Sequence, residues 1–467
     1  MMTRTTIALA LVLALAAAVL PAGERILISN QNGDRAELIE LATLKSLAVT
    51  AVGRQPLTAA VTGDRRFGLI ASVGNTTNAG SMSVLDLVAA GMPVVATVSL
   101  NSRAYGVAAT PNSKLALVTR VTTTGSVTTP ELQLVDLTTS PPQDLGQPIP
   151  IPAGRSAYGV DISPDGKIAY VIDYSGATLT VFDLTQSPPV VLAQLPTNPS
   201  AIFLKLSNDG RRLVIASIAT PAQVGVWNTE PLVPTKLGNV AVGSNPGAIP
   251  SFDPGNRFAV VVASGGRTAH TINTHTSLPV ALGTSAAFGS DLRGVTVTTD
   301  GLAAWAACRS TSRLHELDLS LPAQPLLTAR TVSVASGPNS VVAFGEVHAH
   351  GVPAIGSVYP IQFSSPADAG RPYLLGASFG SRPGFPLGAR RVPLNPDALF
   401  GLSQVNPAIF QRFAGVLDAG GQAVAAIRIP AVPGLRGLPF VVAGVVVDPA
   451  SPLGIGTISN AEVIVLQ

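Results

Sequence analysis

Apolar and polar residues alternate in short runs along most of the chain, and turn residues separate the runs. In residues 157–184 (AYGVDISPDGKIAYVIDYSGATLTVFDL) one alternating run ends at Pro164, Asp165 and Gly166, and further alternating runs follow. A period of two residues is typical of half-buried β-strands, and Asp, Asn or Gly between two such runs favours a tight hairpin turn. This segment therefore predicts several strands of one antiparallel sheet.

The same pattern recurs along the chain. A strand, a tight turn and a second strand are predicted again at 56–72, 104–120, 200–217, 246–264 and 292–308. A third strand in each repeat ends in an acidic or amide residue, and these residues are 45 to 50 positions apart: Glu40, Asp86, Asp136, Asp183, Asn228, Asn273 and Asp318. A repeat of this length predicts a β-propeller in which each repeat is one four-stranded blade.

The two ends of the repeat region each hold an incomplete repeat. Residues 25–50 supply second, third and fourth strands without a first strand, and residues 338–344 supply a first strand without partners after it. Joining them removes two exposed sheet edges, which would otherwise invite aggregation. We therefore predict an all-β fold with a seven-bladed propeller over residues 24–350, closed by its N-terminal strands.

Residues 163–184 (SPDGKIAYVIDYSGATLTVFDL) resemble the YVTN-type β-propeller repeat, which is related to the propellers of bacterial lactonases and surface-layer proteins. The resemblance covers roughly residues 24–350. The tetrapeptide itself appears only as YVID at 170–173, so the chain departs from the tightest consensus. The resemblance implies the propeller fold and leaves the function open, because one fold carries many functions.

The repeat disappears after about residue 356. Residues 357–467 contain about seven short alternating runs and almost no helical periodicity, which predicts a small antiparallel β-sandwich. The pattern from PYLLGASFG to GVLDAGGQA also resembles a C-terminal module of many secreted bacterial proteins. That resemblance implies a stalk, display or export module and brings no catalytic residues.

The N-terminus predicts export. Arg4 precedes an uninterrupted apolar run at residues 7–20, and Pro21 ends this run. A helix of this length rises about 21 Å, which is short of the roughly 30 Å hydrocarbon core. We predict a signal peptide over residues 1–22, cleaved after Ala18 or Ala22, with an uncleaved anchor as the alternative. An extracellular, cell-surface or periplasmic location follows, and we expect no transmembrane segment beyond the signal peptide.

Charge and cysteine content narrow the possible partners. Only 12% of the residues are charged, the formal net charge is +3, and no run of Lys or Arg resembles a nucleic-acid-binding patch. We therefore expect no nucleic-acid partner.

Cys308 is the one cysteine, so no intramolecular disulfide can form. It lies in an apolar run and is predicted to be a buried small hydrophobic residue, with a reactive thiol as the alternative.

Two motifs resemble chemical sites. Residues 376–380 match the G-x-S-x-G pattern of a nucleophile elbow, but the Pro- and Gly-rich residues that follow cannot form the required helix. A plain strand is therefore expected there. His348 and His350 share one face of a strand and could both reach a metal, but no third ligand is visible nearby. We expect no metal and no cofactor.

Polar residues recur where the chain enters the predicted first strands. In a propeller these strands line the central channel, so the residues could ring one mouth and bind an anionic or carbonyl-bearing ligand. The alternative is that they satisfy backbone groups of the loops. The residues are Arg54, Arg103, Arg155, Asn198, Asn245, Arg293 and Asn339.

The leading functional interpretation is a secreted or cell-surface, non-enzymatic propeller that binds a protein, a glycan or a small anionic ligand. The alternative is a lactonase-like hydrolase that acts at the channel mouth. That alternative needs acids, Arg and His that converge, and the sequence shows Arg without a matching acid and His set. Carbohydrate adhesion is disfavoured by an aromatic content of 5% with two Trp.

Overall fold

The computed structural model describes residues 23–75, 79–152, 154 and 156–467. Antiparallel β-sheets dominate this part of the chain, as the alternating pattern predicts. The predicted signal peptide, residues 1–22, lies outside the described residues. Within the described ranges, no helix is both long and apolar enough to cross a membrane.

The strands follow the predicted repeat. The first three are β1 (Arg25–Asn30), β2 (Arg35–Glu40) and β3 (Lys45–Ala51). The next three sheets contain β4 (Pro56–Val61), β5 (Phe67–Ser72), β6 (Ser81–Asp86), β7 (Val94–Ser99), β8 (Arg103–Ala109), β9 (Leu115–Thr124), β10 (Val127–Asp136), β11 (Gln143–Asp144), β12 (Ile149–Pro150), β13 (Ala157–Ile162), β14 (Ile168–Asp173), β15 (Thr178–Asp183) and β16 (Val190–Pro196). Three more contain β17 (Ala201–Leu206), β18 (Arg212–Ser217), β19 (Gln223–Asn228), β20 (Thr235–Ala241), β21 (Ser251–Phe252), β22 (Ala259–Ala263), β23 (Thr268–Asn273), β24 (Val280–Thr284), β25 (Leu292–Val297), β26 (Ala303–Cys308), β27 (Arg313–Asp318) and β28 (Leu326–Ser333).

The strand β29 (Pro338–Phe344) joins the first three strands in one sheet of order β29-β1-β2-β3. β1 pairs antiparallel with β29 on one side and with β2 on the other, with Leu27 opposite Val342 and Leu38. The first strands contact one another in the order β4, β8, β13, β17, β21, β25, β29 and β4 again. The described residues between 24 and 344 thus form a propeller-like arrangement of antiparallel sheets.

Each sheet buries both of its faces against the neighbouring sheets. Ile26 and Ile28 of β1 pack with Trp305 of the preceding sheet, whereas Leu27 packs with Ile70 and other residues of the following one. Successive side chains of a strand point to opposite faces, so a strand between two sheets needs apolar residues at consecutive positions. This requirement explains the continuous apolar runs in β1, β5 and β26.

Residues 347–467, which we call the C-terminal module, follow β29. Their elements are β30 (Val347–His348), β31 (Val358–Ser364), β32 (Pro372–Ser378), β33 (Phe385–Leu387), β34 (Arg390–Val392), α1 (Ala398–Val405), β35 (Phe410–Gln411), β36 (Ala414–Val416), β37 (Gln422–Arg428), β38 (Pro439–Val447), β39 (Ile455–Ile458) and β40 (Glu462–Val465). Single 3₁₀ turns occur at Gln31–Gly33, Pro366–Asp368, Pro433–Leu435 and Pro452–Gly454.

The C-terminal module contains two main sheets that share one apolar core. One has the order β30-β31-β37-β35, and the other has the order β36-β32-β38-β39 with β40 paired to β38. Phe363 of the first sheet and Leu375 and Val446 of the second lie in the common core. The strand β30, which lies within the residues expected for the propeller, hydrogen bonds with β31 of this module.

The helix α1 was not predicted from the sequence. Its N-cap is Asp397, whose side chain accepts a hydrogen bond from the Phe400 backbone N–H. The same carboxylate accepts hydrogen bonds from the Ser378 hydroxyl at 2.9 Å and from the Phe379 N–H at 2.8 Å. One capping residue thus ties a short helix to the end of β32, and eight residues are too few for an amphipathic pattern to stand out. Ser378 ends a strand and is fully buried.

The C-terminal module rests on the turns that join first to second strands in the propeller-like part. The Thr299 hydroxyl donates a hydrogen bond to the backbone carbonyl of Ala461 at 2.8 Å. The backbone carbonyl of Thr299 accepts a hydrogen bond from the Val463 N–H at 3.0 Å. Gln467 donates to Asp209 at 3.0 Å, and Gln422 donates to Asp64 O at 3.1 Å. These turns lie at one end of the first strands, so the C-terminal module covers that end of the channel.

Candidate functional site

A cavity of about 310 Å³ lies at the centre of the sheets, and we call it the channel cavity. Residues of all seven first strands line it, from Thr58 in β4 to Ser340 in β29. Arg65 and Lys205 contribute from the propeller-like part. His348, His350 and Glu462 of the C-terminal module close the covered end, and the resulting volume is that of a small-molecule site.

The alternation of residues 346–350 (EVHAH) explains how the two histidines reach the cavity. Val347 and Ala349 are buried in the core of the C-terminal module. Their neighbours on the opposite face therefore point away from that core, toward the propeller-like part. His348 and His350 line the channel cavity on this face, and their ring centroids are 5.5 Å apart.

Both histidines are held in the neutral form. Burial, followed by the nearby Arg65 charge, lowers the pKa of His348 well below its usual range and that of His350 to about 4. Nε2 of His348 lies 2.6 Å from Oε1 of Gln362, its cross-strand neighbour. Nδ1 of His348 is buried and has no hydrogen-bond partner in the described part of the chain. If Nε2 carries the proton, Nδ1 is a free acceptor.

Glu462 is a buried acid beside these bases. It lies at the start of β40 and is 5% exposed. Burial raises the pKa of its carboxyl well above its usual range, although Arg65 opposes this rise. Burial therefore favours the neutral form of this carboxyl, which can donate a proton.

Arg65 supplies the positive charge of the site. It lies in the turn between β4 and β5 with a left-handed φ of 60°. Burial lowers the pKa of its guanidinium to about 10, against the attraction of Glu462 and Glu346. The guanidinium stays charged at neutral pH, and its Nε has no hydrogen-bond partner among the described residues. It therefore retains a donor for a ligand.

Lys205 is the second cation of the cavity wall, but it is already paired. Its Nζ lies 3.0 Å from Oδ2 of Asp161 on the neighbouring first strand. The same oxygen of Asp161 accepts the Leu206 N–H at 2.9 Å. Lys205 contributes to the low pKa of His350, after burial and Arg65. Lys205 thus adds positive potential at the covered end, whereas Arg65 is the cation with a free donor.

The predicted ring of polar residues lies at the other end of the first strands. Arg54 is exposed and forms a 3.6 Å ion pair with Asp34. Arg103 and Asn245 are exposed, and Asn245 has a left-handed φ of 54°. Arg155 lies outside the described residues.

The other ring residues have protein partners. Asn198 donates to Asn239 at 3.0 Å, and Arg293 pairs with Asp291 at 2.7 Å. Asn339 is buried and donates to Leu57 O of the adjacent sheet at 2.7 Å. None of the ring residues that the structure describes lines the channel cavity. The ligand-binding ring therefore stays a prediction, at a place distinct from the channel cavity.

No sequence pattern predicted a role for Arg65 or Glu462, and the spacing of the two histidines indicated only a possible pair of metal ligands. Among the residues the structure describes, no group of three or more His, Cys, Asp or Glu side chains could hold a metal ion. Cys308 is fully buried, as its apolar surroundings predict. The alternation in EVHAH was the one sequence signal that could have predicted a shared surface for the two histidines.

Comparisons with known proteins support the fold and leave the function open. No family model matches the chain, and no curated protein matches it. A protein from Bacteroides uniformis described as a candidate 6-phosphogluconolactonase aligns with a TM-score of 0.59 and 14% identity, covering 69% of this chain and 100% of its own. The periplasmic gluconolactonase of Pseudomonas aeruginosa aligns with a TM-score of 0.57 and 14% identity, covering 69% and 99%.

A third solved structure, a functionally unknown protein from Desulfotomaculum acetoxidans, has a TM-score of 0.55 and 15% identity, and the alignment covers 67% of this chain and 98% of that one. At such identities the likeness concerns the fold alone. The YVTN repeat type stays a prediction. The chain is thus similar in fold to propeller proteins that include lactonases.

Proposed function

We propose that this protein is a lactonase-like hydrolase that opens cyclic esters in the channel cavity. The observation that carries the proposal is the convergence of Arg65, His350 and Glu462 on one cavity of about 310 Å³. A lactonase needs a cation for the carbonyl oxygen, a base for water and an acid for the leaving oxygen. These three residue types are the set that the sequence alone did not bring together.

Each residue has a role that fits its protonation state. Arg65 donates to the lactone carbonyl oxygen and stabilises the negative charge that develops there. Neutral His350 takes a proton from the attacking water as the new carbon–oxygen bond forms. Protonated Glu462 donates its proton to the ring oxygen as the ring carbon–oxygen bond breaks. Proton transfer from His350 back to Glu462 restores the site.

His348 positions this machinery. Its hydrogen bond to Gln362 fixes the ring, and its unpartnered Nδ1 can accept a hydrogen bond from a substrate hydroxyl. A purely structural interface would gain little stability from a buried arginine, histidines and a glutamate. Burial of charged groups carries a large desolvation penalty, and apolar replacements are often equally stable. The names of two structural neighbours, both gluconolactonases or candidates for one, agree with this chemistry.

The test is hydrolysis of a panel of γ- and δ-lactones, followed as acid release at pH 7 with the spontaneous rate subtracted. We expect the full chain to hydrolyse at least one member, and we expect His350→Ala or Glu462→Gln to lower kcat by about 10² to 10⁴-fold. His275→Ala removes an exposed histidine outside the cavity and should leave the rate within about twofold of wild type. Rates at the spontaneous level for every lactone would refute the proposal.

The second candidate is the non-enzymatic binding scaffold, with a protein, a glycan or a small anionic ligand as its partner. The exposed Arg103 and Arg54, at the end opposite to the C-terminal module, favour it. A ligand that raises the Tm without being hydrolysed, and whose effect is lost in Arg103→Ala with Arg155→Ala, would support the scaffold. An unchanged ligand response in that double variant would count against it.

We further propose that the seven sheets are the blades of one closed propeller and that the protein is exported after loss of residues 1–22. The cyclic contacts of the first strands and the pairing of β1 with β29 support the closed ring. Intact mass of the protein recovered from the periplasm or medium tests the export proposal. Recovery of the full-length chain in the cytoplasm alone would contradict it.

A further inference from the structure

The start of the described chain lies against the C-terminal module. Gly23 has a left-handed φ of 90°, and a Cβ there would collide with Oε2 of Glu346 and would lie 2.7 Å from the backbone N of Asn460. Glu24, the next residue, accepts the Thr299 N–H at 2.6 Å. Only glycine fits at position 23, because any side chain would meet the Glu346 carboxylate or the Asn460 backbone.

Glu346 is a buried carboxylate that lacks part of its hydrogen bonding. Its Oε1 accepts from Nη2 of Arg25 at 3.2 Å. Its Oε2, the oxygen that faces Gly23, is buried and has no hydrogen-bond partner among the described residues. Burial raises the pKa of this carboxyl, although Arg25 opposes the rise. A buried acceptor without a donor is costly, and the backbone of Gly23 lies next to this oxygen.

We propose that cleavage between Ala22 and Gly23 creates the missing donor: the new α-ammonium group of Gly23 forms a buried ion pair with Oε2 of Glu346. In the cleavage, water adds across the peptide bond under a peptidase that recognises small residues. The hydroxyl goes to the Ala22 carbonyl, and the released Gly23 nitrogen takes up protons to become an ammonium. Processing of the leader then completes the contact between Gly23 and the segment that joins β29 to the C-terminal module.

The geometry distinguishes the two cleavage positions that the sequence left open. A chain cut after Ala18 keeps Gly23 as an uncharged amide with a single N–H. A chain cut after Ala22 places a full positive charge and three N–H donors beside that carboxylate. Charge-assisted hydrogen bonds to carboxylates are stronger than neutral ones, so the interface favours the second product.

The first test is the mass of the natural product. The full chain is expressed with its own leader in an exporting bacterium, and the recovered protein is analysed by intact mass and N-terminal sequencing. The expected N-terminus is Gly23. A protein that begins at residue 19, or that retains residues 1–22, overturns the proposal.

The second test isolates the ion pair. The processed chain, which begins at Gly23, is compared with the same chain extended by Ala22, in the wild-type and Glu346→Gln backgrounds. The extension should lower the Tm by about 1–3 °C in wild type, and by much less in Glu346→Gln. A matched Glu230→Gln variant, which alters an exposed glutamate, should keep the full effect. Equal shifts in the wild-type and Glu346→Gln backgrounds, or no shift in wild type, would show that the charge of Gly23 does not contact Glu346.

Discussion

Truncation of two neighbouring residues in β1 tests whether that strand lies between two packed sheets. Leu27 and Ile28 are fully buried and face opposite sides, toward the sheets that contain Ile70 and Trp305 respectively. Each truncation removes a buried aliphatic side chain and leaves a cavity, which destabilises proteins by about 2–5 kcal/mol. We therefore expect both Leu27→Ala and Ile28→Ala to lower the free energy of unfolding by about this amount.

The assay is guanidinium unfolding followed by tryptophan fluorescence. The chain's two tryptophans, Trp227 and Trp305, lie in β19 and β26, so the signal reports on the propeller-like part alone. Leu47→Ala is the control, because Leu47 is 48% exposed in β3 and its loss should change stability by less than about 0.5 kcal/mol. If only one of the two buried truncations were destabilising, β1 would have one free face and the account of the chain ends would be wrong.

Three further outcomes follow from the structure. Asn339→Ala removes the hydrogen bond to Leu57 O, which keeps the Ser29 hydroxyl as its other donor, so unfolding by guanidinium should show a loss of about 0.5–1.5 kcal/mol; a loss below about 0.3 kcal/mol would contradict this. Lactone hydrolysis should stay constant through neutral pH and fall as the pH drops through about 4, because protonation of His350 removes the base; a fall already near pH 6.5 would show that His350 is not the base. Burial by itself raises the pKa of the Cys308 thiol. Hydrogen bonds, of which the one from His315 has the largest effect, outweigh burial and bring the pKa down to about 6. Because Cys308 is fully buried, a thiol reagent should label it on unfolding and hardly at all in the folded protein, whereas rapid labelling of the folded protein would show that the sulfur is exposed.

The strands were predictable from the sequence because their signal is local. A period of two residues and a Gly or Asp turn are read within about twenty residues, so residues 338–344 coincide with β29 and residues 157–184 with β13, β14 and β15. The pairing of β1 with β29 followed from counting, since each end of the repeat region held an incomplete set of strands. The helix α1 was missed because its eight residues are too few for an amphipathic pattern to stand out, although Asp397 caps it by accepting the Phe400 N–H.

The candidate site could not be predicted in the same way. Arg65 lies in a hairpin turn that resembles the other hairpin turns, and its cavity partners His350 and Glu462 lie hundreds of residues later in the chain. Their convergence depends on how the C-terminal module rests on the turns near Asp64 and Thr299, and no periodic pattern encodes that docking. The ligand ring predicted from the sequence accordingly lies at the opposite end of the first strands.

A crystal structure of the protein soaked with the hydroxy acid released from a hydrolysed lactone tests the central claim most directly. The account predicts density for this product inside the channel cavity, with its carboxylate within hydrogen-bond distance of Arg65 and its hydroxyl near Glu462. Density at the other end of the first strands, beside Arg103 and away from the C-terminal module, would contradict the claim.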